Sequence, residues 1–305
     1  MHRRSSAHSP PRSARPHDTN VLNANIMEAH RCIICETKTS YFFSKDYPTY
    51  PGSPFEDTLT VDFWKCPHCG FVVSKTHQEM TQDQWSQLNS SWHHNFENNR
   101  ESRTTNQPPY ADQALVLAIL KENDILDLDD GLDYAAGYGT FSKCLKKYFN
   151  IGIRIFDRYV HSSDEGMRYV AQKELSRYKL VINSAMFEHV LNRHALDEVN
   201  GLVKDDGVLM LHTVVCERIP KDPGWFYIDT MVHTALHTNK SMSILMDQWG
   251  YGASIYSPQA KSWFLFKRDN PLIDDLEAKV AGINHELQTT YLHYKRGFVD
   301  YWKGF

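Results

Sequence analysis

The sequence predicts an α/β protein built on a mostly parallel sheet, with a small cysteine-bearing module before it and a long helix after it. Three observations support this fold class. From residue 110 onwards, segments of helical periodicity alternate with short apolar runs typical of buried strands. A glycine-rich turn follows the first of these strands, at 135–139, and two Cys-x-x-Cys pairs precede the whole arrangement. Alternating strands and helices pack as a doubly wound sheet with right-handed crossovers.

The elements of the main domain follow from two periodicities. Helices are indicated by apolar residues three or four positions apart, and strands by short continuous apolar runs, as a sheet covered on both faces requires. The predicted helices cover 111–121, 140–149, 195–203 and 240–249, and the predicted strands cover 131–135, 151–156, 180–183, 207–213, 253–256 and 262–267.

Composition limits the class of protein. The 305 residues suit two domains, or one large domain with an appendage, and 41% hydrophobic residues are enough for a packed core. The net charge of −4 shows no general attraction to nucleic acid. No apolar run approaches the about 18 residues that span a bilayer, and none near the start has signal-peptide character. Six cysteines, four of them in metal-binding spacing, fit a reducing compartment, so we expect a cytoplasmic protein.

The chain divides into five predicted segments. Residues 1–28 are rich in Arg, Ser, Pro and His and are predicted to be a disordered tail. A zinc-binding module is predicted over 29–80, a polar linker over 81–109 and the main α/β domain over 110–270. The last segment, 271–305, is predicted to be one amphipathic helix.

The C-terminal helix is predicted from its start signal and its periodicity. Asn270 and Pro271 suit an N-cap and a first helical position. Apolar residues then recur every three or four positions, at Leu276, Val280, Ile283, Leu287, Tyr291, Tyr294 and Phe298. This stripe is expected to pack on its own chain, with the seam of a homodimer as the alternative.

The two cysteine pairs indicate a structural zinc site. Cys32 and Cys35 form one pair and Cys66 and Cys69 the other, with 30 residues between the pairs. Two residues between cysteines let both sulfur atoms face one ion, and four thiolates leave no open position on it. The sequence therefore predicts a closed zinc site with four cysteine ligands, with free or redox-active thiols as the lesser alternative.

The glycine turn indicates a cofactor site at the carboxyl ends of the strands. Asp133, Ala135, Gly137 and Gly139 have the spacing of a strand-to-helix turn that closely approaches a bound nucleotide. Asp157 lies 24 residues after Asp133, at the end of the next predicted strand. A carboxylate in that place can accept hydrogen bonds from both hydroxyls of a ribose.

At these residues the sequence resembles the class I S-adenosylmethionine-dependent methyltransferases. The segment 133–139 resembles their first motif, Asp157 their ribose-binding acid, 178–190 their fourth strand with its Glu-His-Val ending, and 204–213 the turn and fifth strand. The resemblance covers about residues 110–270. It implies a Rossmann-like doubly wound fold, S-adenosylmethionine as cofactor, and cofactor contacts from Asn183 and Glu188.

The resemblance has a competitor and a further implication. A dinucleotide-binding dehydrogenase would need Gly-x-Gly-x-x-Gly, and Phe141 and Ser142 follow Thr140 where the third glycine would stand, which favours methyl transfer. The N-terminal zinc module makes the chain similar to bacterial sugar methyltransferases. That similarity implies a carbohydrate acceptor, such as a sugar or sugar nucleotide.

Histidines are the candidate bases for removing a proton from the acceptor, because the imidazole pKa lies near working pH. His189 follows the fourth strand and is expected in the cleft. If 231–237 is helical, His233 and His237 lie one turn apart on one face and form a base or a divalent-metal pair. Tyr227 is the expected substrate contact. We also expect that some of these histidines have only structural roles.

Three functions therefore remain open from the sequence. The favoured one is a methyltransferase for a small polar metabolite, with a sugar as the favoured acceptor. A nucleic-acid methyltransferase guided by a zinc ribbon would need a basic surface, which the composition does not favour. A catalytically inactive scaffold would not need the intact set of Asp133, Gly137, Gly139 and Asp157.

Overall fold

The structure is a computed structural model that describes residues 31–96, 108–160 and 166–300. The predicted disordered tail over 1–28 lies outside the described residues. No helix among the described residues has the length and apolar character needed to cross a bilayer.

The helices and strands follow one another along the chain in the predicted alternation. The strands are β1 (Ser40–Tyr47), β2 (Leu59–Lys65), β3 (Val72–Ser74), β4 (Gly131–Tyr134), β5 (Arg154–Phe156), β6 (Arg168–Tyr169), β7 (Tyr178–Ser184), β8 (Val203–His212), β9 (Val215–Cys216), β10 (Ala235–Thr238), β11 (Tyr251–Ser257), β12 (Ser262–Lys267) and β13 (His293–Arg296). The α-helices are α1 (Lys75–Gln78), α2 (Gln82–Phe96), α3 (Tyr110–Glu122), α4 (Thr140–Phe149), α5 (Arg193–Gly201), α6 (Asn239–Gln248) and α7 (Leu276–Glu286). Short 3₁₀ turns occur at Gln172–Glu174, Phe187–His189 and Phe226–Asp229.

An eight-stranded sheet forms the centre of the molecule and confirms the predicted fold class. Its strand order is β13-β11-β12-β8-β7-β4-β5-β6. The five strands from β8 to β6 run parallel, whereas β12 is antiparallel to β8 and to β11. All four residues of β4 are buried, as expected for a central strand covered on both faces. The order reverses at β4, and ligands of such sheets bind outside the carboxyl ends at that reversal.

The cysteine module shares a second sheet with the main domain. This sheet has the order β1-β2-β3-β10-β9, so strands of the module continue into β10 and β9 of the main domain. Ala235 and Leu236 of β10 pair antiparallel with Val73 and Val72 of β3. Residues of the module also belong to one apolar core with the main domain, as shown by Phe71, which lies in the same cluster as the residues around β7. The module is therefore built into the α/β domain.

The region predicted to be a linker, 81–109, contains a helix instead over much of its length. Helix α2 covers Gln82–Phe96, and its Trp85 and Leu88 are buried. Both side chains pack in the apolar cluster that surrounds Phe63 of β2. The helix is polar overall, so its few apolar residues gave too weak a periodic signal, and tertiary packing stabilises it.

The C-terminal helix is shorter than predicted. Helix α7 ends at Glu286, and the chain then turns into strand β13, which pairs with β11 along the edge of the sheet. The Asn284 side chain accepts hydrogen bonds from Tyr291 N and Leu292 N, both at 2.9 Å, and this fixes the turn. A strand satisfies the unpaired backbone groups of β11, which a helix would not do.

The apolar stripe of the C-terminal helix packs on its own chain, as the sequence favoured. Leu276, Val280 and Ile283 are buried in the core of the main domain. These side chains are therefore not available as the seam of a homodimer.

Candidate active site

The candidate active site lies at the edge where the parallel strands end. The carboxyl ends of β4, β5, β7 and β8 meet at this edge, because these strands are parallel neighbours. The loops that leave them carry the glycine turn, Asp157, the Phe187–His189 turn and Thr213. Almost all the predicted cofactor and catalytic residues therefore belong to one end of the sheet.

The glycine loop connects β4 to α4 through alternating left-handed backbone conformations. Ala135 has φ 60°, Gly137 φ 54° and Gly139 φ 68°. A Cβ added at Gly139 would lie 3.2 Å from the Ile155 side chain, whereas one added at Gly137 would meet no atom within 4 Å. The loop therefore packs on the sheet at Gly139 and faces open space at Gly137. That open side can admit a ligand next to the backbone.

Asp157 closes the glycine loop. Its Oδ2 accepts a hydrogen bond from Gly137 N at 2.8 Å, and its Oδ1 accepts from Tyr159 N and Val160 N, each at 2.8 Å. A carboxylate has about four acceptor positions, so Oδ2 retains one for a ligand. Asp157 was expected to accept hydrogen bonds from both hydroxyls of a ribose. As long as the loop keeps these three bonds, the carboxylate has one acceptor position left for such a hydroxyl.

Asp133 lies inside the sheet and supports the loop from behind. Its side chain is buried, and its Oδ2 accepts a hydrogen bond from Ser142 Oγ at 2.7 Å, which ties β4 to the first turn of α4. Burial raises the pKa of Asp133 to about 7, with the nearby Asp157 charge raising it further and Ser142 lowering it. Asp133 therefore has a positioning role in this geometry, and its direct cofactor contact stays a prediction.

Asn183 is enclosed at the end of β7. Its side chain is fully buried, and Nδ2 donates to the Tyr134 carbonyl at 3.4 Å, while Oδ1 has no protein partner. In this geometry the Asn183 side chain bridges β7 and β4, and its cofactor contact stays a prediction.

Three side chains converge beside the end of β7. Glu188, His189 and His233 each offer one ligand atom, and these atoms all lie within 4.8 Å of one another. We call this set the histidine cluster. The Phe187–His189 turn supplies two members, and the loop before β10 supplies the third. The rings of His189 and His233 have centroids 5.0 Å apart.

Hydrogen bonds to backbone carbonyls orient both imidazoles of the histidine cluster. His189 Nδ1 lies 2.9 Å from the Val232 carbonyl, and His233 Nδ1 lies 2.6 Å from the Tyr227 carbonyl. Because a carbonyl oxygen only accepts, each Nδ1 carries the proton and each neutral ring has its lone pair at Nε2. Burial lowers the pKa of His233 to about 3 and that of His189 well below its ordinary value, with smaller contributions from neighbouring histidines. Both rings are therefore neutral at pH 7.

Tyr227 and Thr213 extend the histidine cluster with hydroxyl groups. Both hydroxyls lie close enough to the Glu188 carboxylate to lower its pKa, which burial raises to about 7, and the two hydroxyl oxygens lie 3.3 Å apart. The Tyr227 ring packs on His233 with centroids 4.3 Å apart. The Tyr227 side chain is otherwise buried in an apolar core together with Trp225, and its predicted substrate contact stays a prediction.

Residues 231–237 are not helical, so the condition for pairing His233 with His237 is not met, and His237 lies outside the histidine cluster. His237 belongs to β10, where it pairs with Val215, because β10 fills the position between β3 and β9. Its ring lies between Phe71 and Phe187, with centroids 5.0 and 6.0 Å away, and Nε2 contacts the Phe187 carbonyl at 3.3 Å. The side chain is fully buried, so His237 supports the turn that carries Glu188 and His189.

One residue next to the cluster was missed from the sequence. His93 of α2 has its ring centroid 5.2 Å from that of His189. The pair His93-His94 lies in the segment that was predicted to be a linker, and a polar segment with two histidines was the only available signal. Its place beside the site depends entirely on how α2 packs.

The four predicted metal-ligating cysteines come together as expected from their spacing. The Sγ atoms of Cys32 and Cys69 are 3.6 Å apart, those of Cys35 and Cys66 3.5 Å, and those of Cys35 and Cys69 3.6 Å. Tetrahedral zinc with Zn–S bonds of about 2.3 Å separates its sulfur ligands by about 3.8 Å. Gly70 has φ 77° and donates its N–H to the Cys66 carbonyl at 3.0 Å, which forms the tight turn of the second pair. The arrangement fits one tetrahedral ion.

No protein-family model matches the chain, and no curated protein matches it significantly. Among solved structures, the chain is similar to the 1,6-didemethyltoxoflavin-N1-methyltransferase of Burkholderia thailandensis with bound 1,6-didemethyltoxoflavin and S-adenosylhomocysteine (13% identity, TM-score 0.41, covering 73% of this chain and 97% of that one). It is also similar to a plantazolicin methyltransferase in complex with a triazolic desmethylPZN analog and SAH (11%, 0.39, 62% and 100%) and to a SAM dependent methyltransferase from Archaeoglobus fulgidus (17%, 0.35, 55% and 77%). With all three TM-scores below 0.5, no residue role and no substrate is transferred from these proteins.

Proposed function

We propose that this chain is an S-adenosylmethionine-dependent methyltransferase that acts on a small polar acceptor. The observation that carries the proposal is the bond between Asp157 and Gly137 N, which joins the acid after β5 to the glycine loop after β4. A nucleoside cofactor across these strand ends would meet the open side of Gly137 and the free acceptor position on Asp157. The sequence motifs select S-adenosylmethionine among the nucleoside cofactors.

The cofactor half of the site consists of the glycine loop, Asp157 and the N-terminus of α4. The first N–H groups of α4 have no side-chain cap, since Gly139 precedes the helix. These donors and the Asp157 carboxylate give the loop both hydrogen-bond donors and an acceptor for a ligand with a ribose and an amino-acid group. Asn183 and Glu188 belong to the proposed lining on the side of β7.

The acceptor half of the site is the histidine cluster together with Tyr227. In methyl transfer the acceptor loses a proton and forms a bond to the methyl carbon, while the bond between that carbon and sulfur breaks and releases S-adenosylhomocysteine. The Nε2 lone pairs of His189 and His233 are the groups proposed to face the acceptor. Tyr227 and Thr213 supply hydroxyls beside them, which suits an acceptor rich in hydroxyl groups.

The acceptor we propose is a sugar or sugar nucleotide. This rests on the sequence resemblance to sugar methyltransferases and on the polar character of the histidine cluster. We also propose that the four cysteines bind a structural zinc ion, since four thiolates at these separations leave no open coordination position. The ion would hold together a module that contributes three strands to the second sheet.

Calorimetric titration with S-adenosylhomocysteine tests the proposed function without knowledge of the acceptor. We expect wild-type protein to bind it, and Asp157→Ala to bind it about tenfold or more weakly, because a hydrogen bond to a charged group contributes about 1.5–3 kcal/mol. The matched control is Asp129→Ala, which removes an exposed carboxylate at the opposite end of β4. No binding by the wild type, or equal losses in the two variants, would contradict the proposal.

A further inference from the structure

We propose that Glu188, His189 and His233 bind a divalent transition-metal ion, at a second metal site distinct from the four cysteines. The three ligand atoms lie within 4.8 Å of one another, close enough for one ion to contact them all after small rotations of the side chains. Metal–nitrogen and metal–oxygen bonds of about 2.0–2.2 Å hold such ligands roughly 3–4 Å apart. Two imidazoles and one carboxylate are borderline ligands that suit Zn²⁺, Fe²⁺ or Co²⁺.

The hydrogen bonds behind the two imidazoles are those of metal-binding histidines. A ligating histidine donates its other ring N–H to a carbonyl or carboxylate, which fixes the tautomer and aims the lone pair at the metal. His189 does this with the Val232 carbonyl and His233 with the Tyr227 carbonyl. The protein by itself therefore fixes the tautomer of each ring, with the lone pair at Nε2.

The Glu188 carboxyl group provides the third ligand and has an oxygen atom without a protein partner. It is buried, and its Oε2 has no hydrogen-bond partner. No ion pair joins Glu188 to a lysine or arginine within residues 31–96, 108–160 and 166–300. A buried carboxylate is stable when it is paired or bound to a metal. A bound cation would supply that partner at Oε2.

The site has the composition of a catalytic metal site. Three protein ligands leave at least one coordination position open, whereas the four cysteines leave none. Under the proposed function, an ion here would polarise a hydroxyl of the acceptor and favour loss of its proton to solvent while the oxygen forms its bond to the methyl carbon. The two imidazoles would then act as ligands, so the acceptor class is a hydroxyl compound that yields a methyl ether.

Cobalt substitution distinguishes the two metal sites in the intact protein. Full-length protein without a histidine tag is loaded with Co²⁺, freed of excess ion and analysed for metal content and absorption. We expect two ions per wild-type chain, with thiolate charge-transfer bands from the cysteine site and separate visible bands from a nitrogen–oxygen site. Glu188→Gln and His233→Ala should each bind one ion and lose only the second set of bands. His194→Ala, which removes an exposed histidine of α5, is the control and should keep both ions.

The outcomes separate this proposal from the proposed function. One ion per wild-type chain, bound only by thiolates, would overturn the second metal site. Two ions in Glu188→Gln or in His233→Ala would overturn the assignment of these ligands, and a circular dichroism spectrum of each variant checks that it is folded. S-adenosylhomocysteine binding is measured on the same samples. If the wild type binds the nucleoside and only one ion, the methyltransferase proposal stands and the second metal site is rejected. If it binds two ions and no nucleoside, the second metal site stands and the methyltransferase proposal is rejected.

Discussion

The two halves of the candidate active site are assembled in different ways. The cofactor half is contiguous, since Asp133, the glycine loop and Asp157 fall within 25 residues and two neighbouring strands. The acceptor half takes its side chains from the Phe187–His189 turn, from Thr213, from Tyr227 and from His233. The first half depends on local geometry, and the second depends on how distant segments pack.

The acceptor half also depends on the cysteine module. Thr234 donates its N–H to the Glu188 carbonyl at 2.7 Å, and its own carbonyl accepts from Ser74 N of β3 at 2.7 Å. Thr238 Oγ1 donates to the Cys69 carbonyl at 2.5 Å. These bonds connect the module directly to the turn and the strand that frame the histidine cluster. The cofactor half receives no comparable backbone hydrogen bond from the module among the described residues.

The largest expected effect comes from breaking the cysteine cluster. Cys66→Ser should remove the metal and lower the Tm by about 10 °C or more, because a structural ion contributes much of the folding energy of a small module. Cys144→Ser is the control, since Cys144 is a half-buried thiol outside both proposed metal-binding sets. Differential scanning calorimetry and metal analysis measure the result. Equal Tm values for the two variants would contradict a structural metal.

The same variant sharpens the comparison between the two halves. If only the acceptor half depends on the module, limited proteolysis of Cys66→Ser should cut residues 31–80 first, while the remaining protein retains S-adenosylhomocysteine binding. If nucleoside binding is lost together with the module, both halves of the site depend on the module, and the proposed difference between them is wrong.

An intermediate effect is expected from Asp133→Asn in the cofactor half. The pKa of Asp133 is raised by burial from its ordinary 3.8 to about 7, so the folded protein keeps this proton while the unfolded chain has lost it. Its contribution to the free energy of unfolding is therefore full below about pH 4 and falls as the pH rises to 7. The free energy of unfolding of the variant, taken relative to that of the wild type, should therefore rise by about 2–3 kcal/mol from pH 5 to pH 8.

Urea unfolding of both proteins at pH 5 and pH 8 measures this difference. The amide oxygen that the substitution introduces can still accept from Ser142 Oγ, so the change removes the ionisation and keeps the hydrogen bond. Asp129→Asn serves as the exposed control at the other end of β4 and should show no such change. A difference between wild type and Asp133→Asn that does not vary with pH would show that Asp133 is ionised in the folded protein.

The smallest effects are expected from substitutions in the glycine loop. They distinguish the glycine that packs on the sheet from the glycine that faces the proposed ligand. Gly139→Ala combines a left-handed backbone, which costs about 1–2 kcal/mol, with a close contact to Ile155. Gly137→Ala has the backbone cost alone, and its methyl group points into open space. Gly139→Ala should therefore lose more thermal stability, while Gly137→Ala should lose more S-adenosylhomocysteine affinity per unit of stability lost. The reverse order would place the ligand elsewhere.

The features that could be predicted from the sequence are those whose chemistry is local. Cysteine spacing predicted that the four sulfur atoms come together, and glycine spacing with an acid at the next strand end predicted the loop of Gly137 and Asp157. The fold class followed from the alternation of helices and strands. Each of these signals lies within a short segment, where backbone geometry limits the possible arrangements.

Which distant residues meet depends on the tertiary structure. It formed α2 within the predicted linker and brought His93 beside His189, it ended α7 early because β13 pairs with the open edge of β11, and it formed β10 over residues for which the sequence left a helix open. In β10 the strand pairing placed His237 in the core and left His233 with Glu188 and His189. Pairing with strands far along the chain overrides local propensity, because those hydrogen bonds and buried contacts are absent from any short window of sequence.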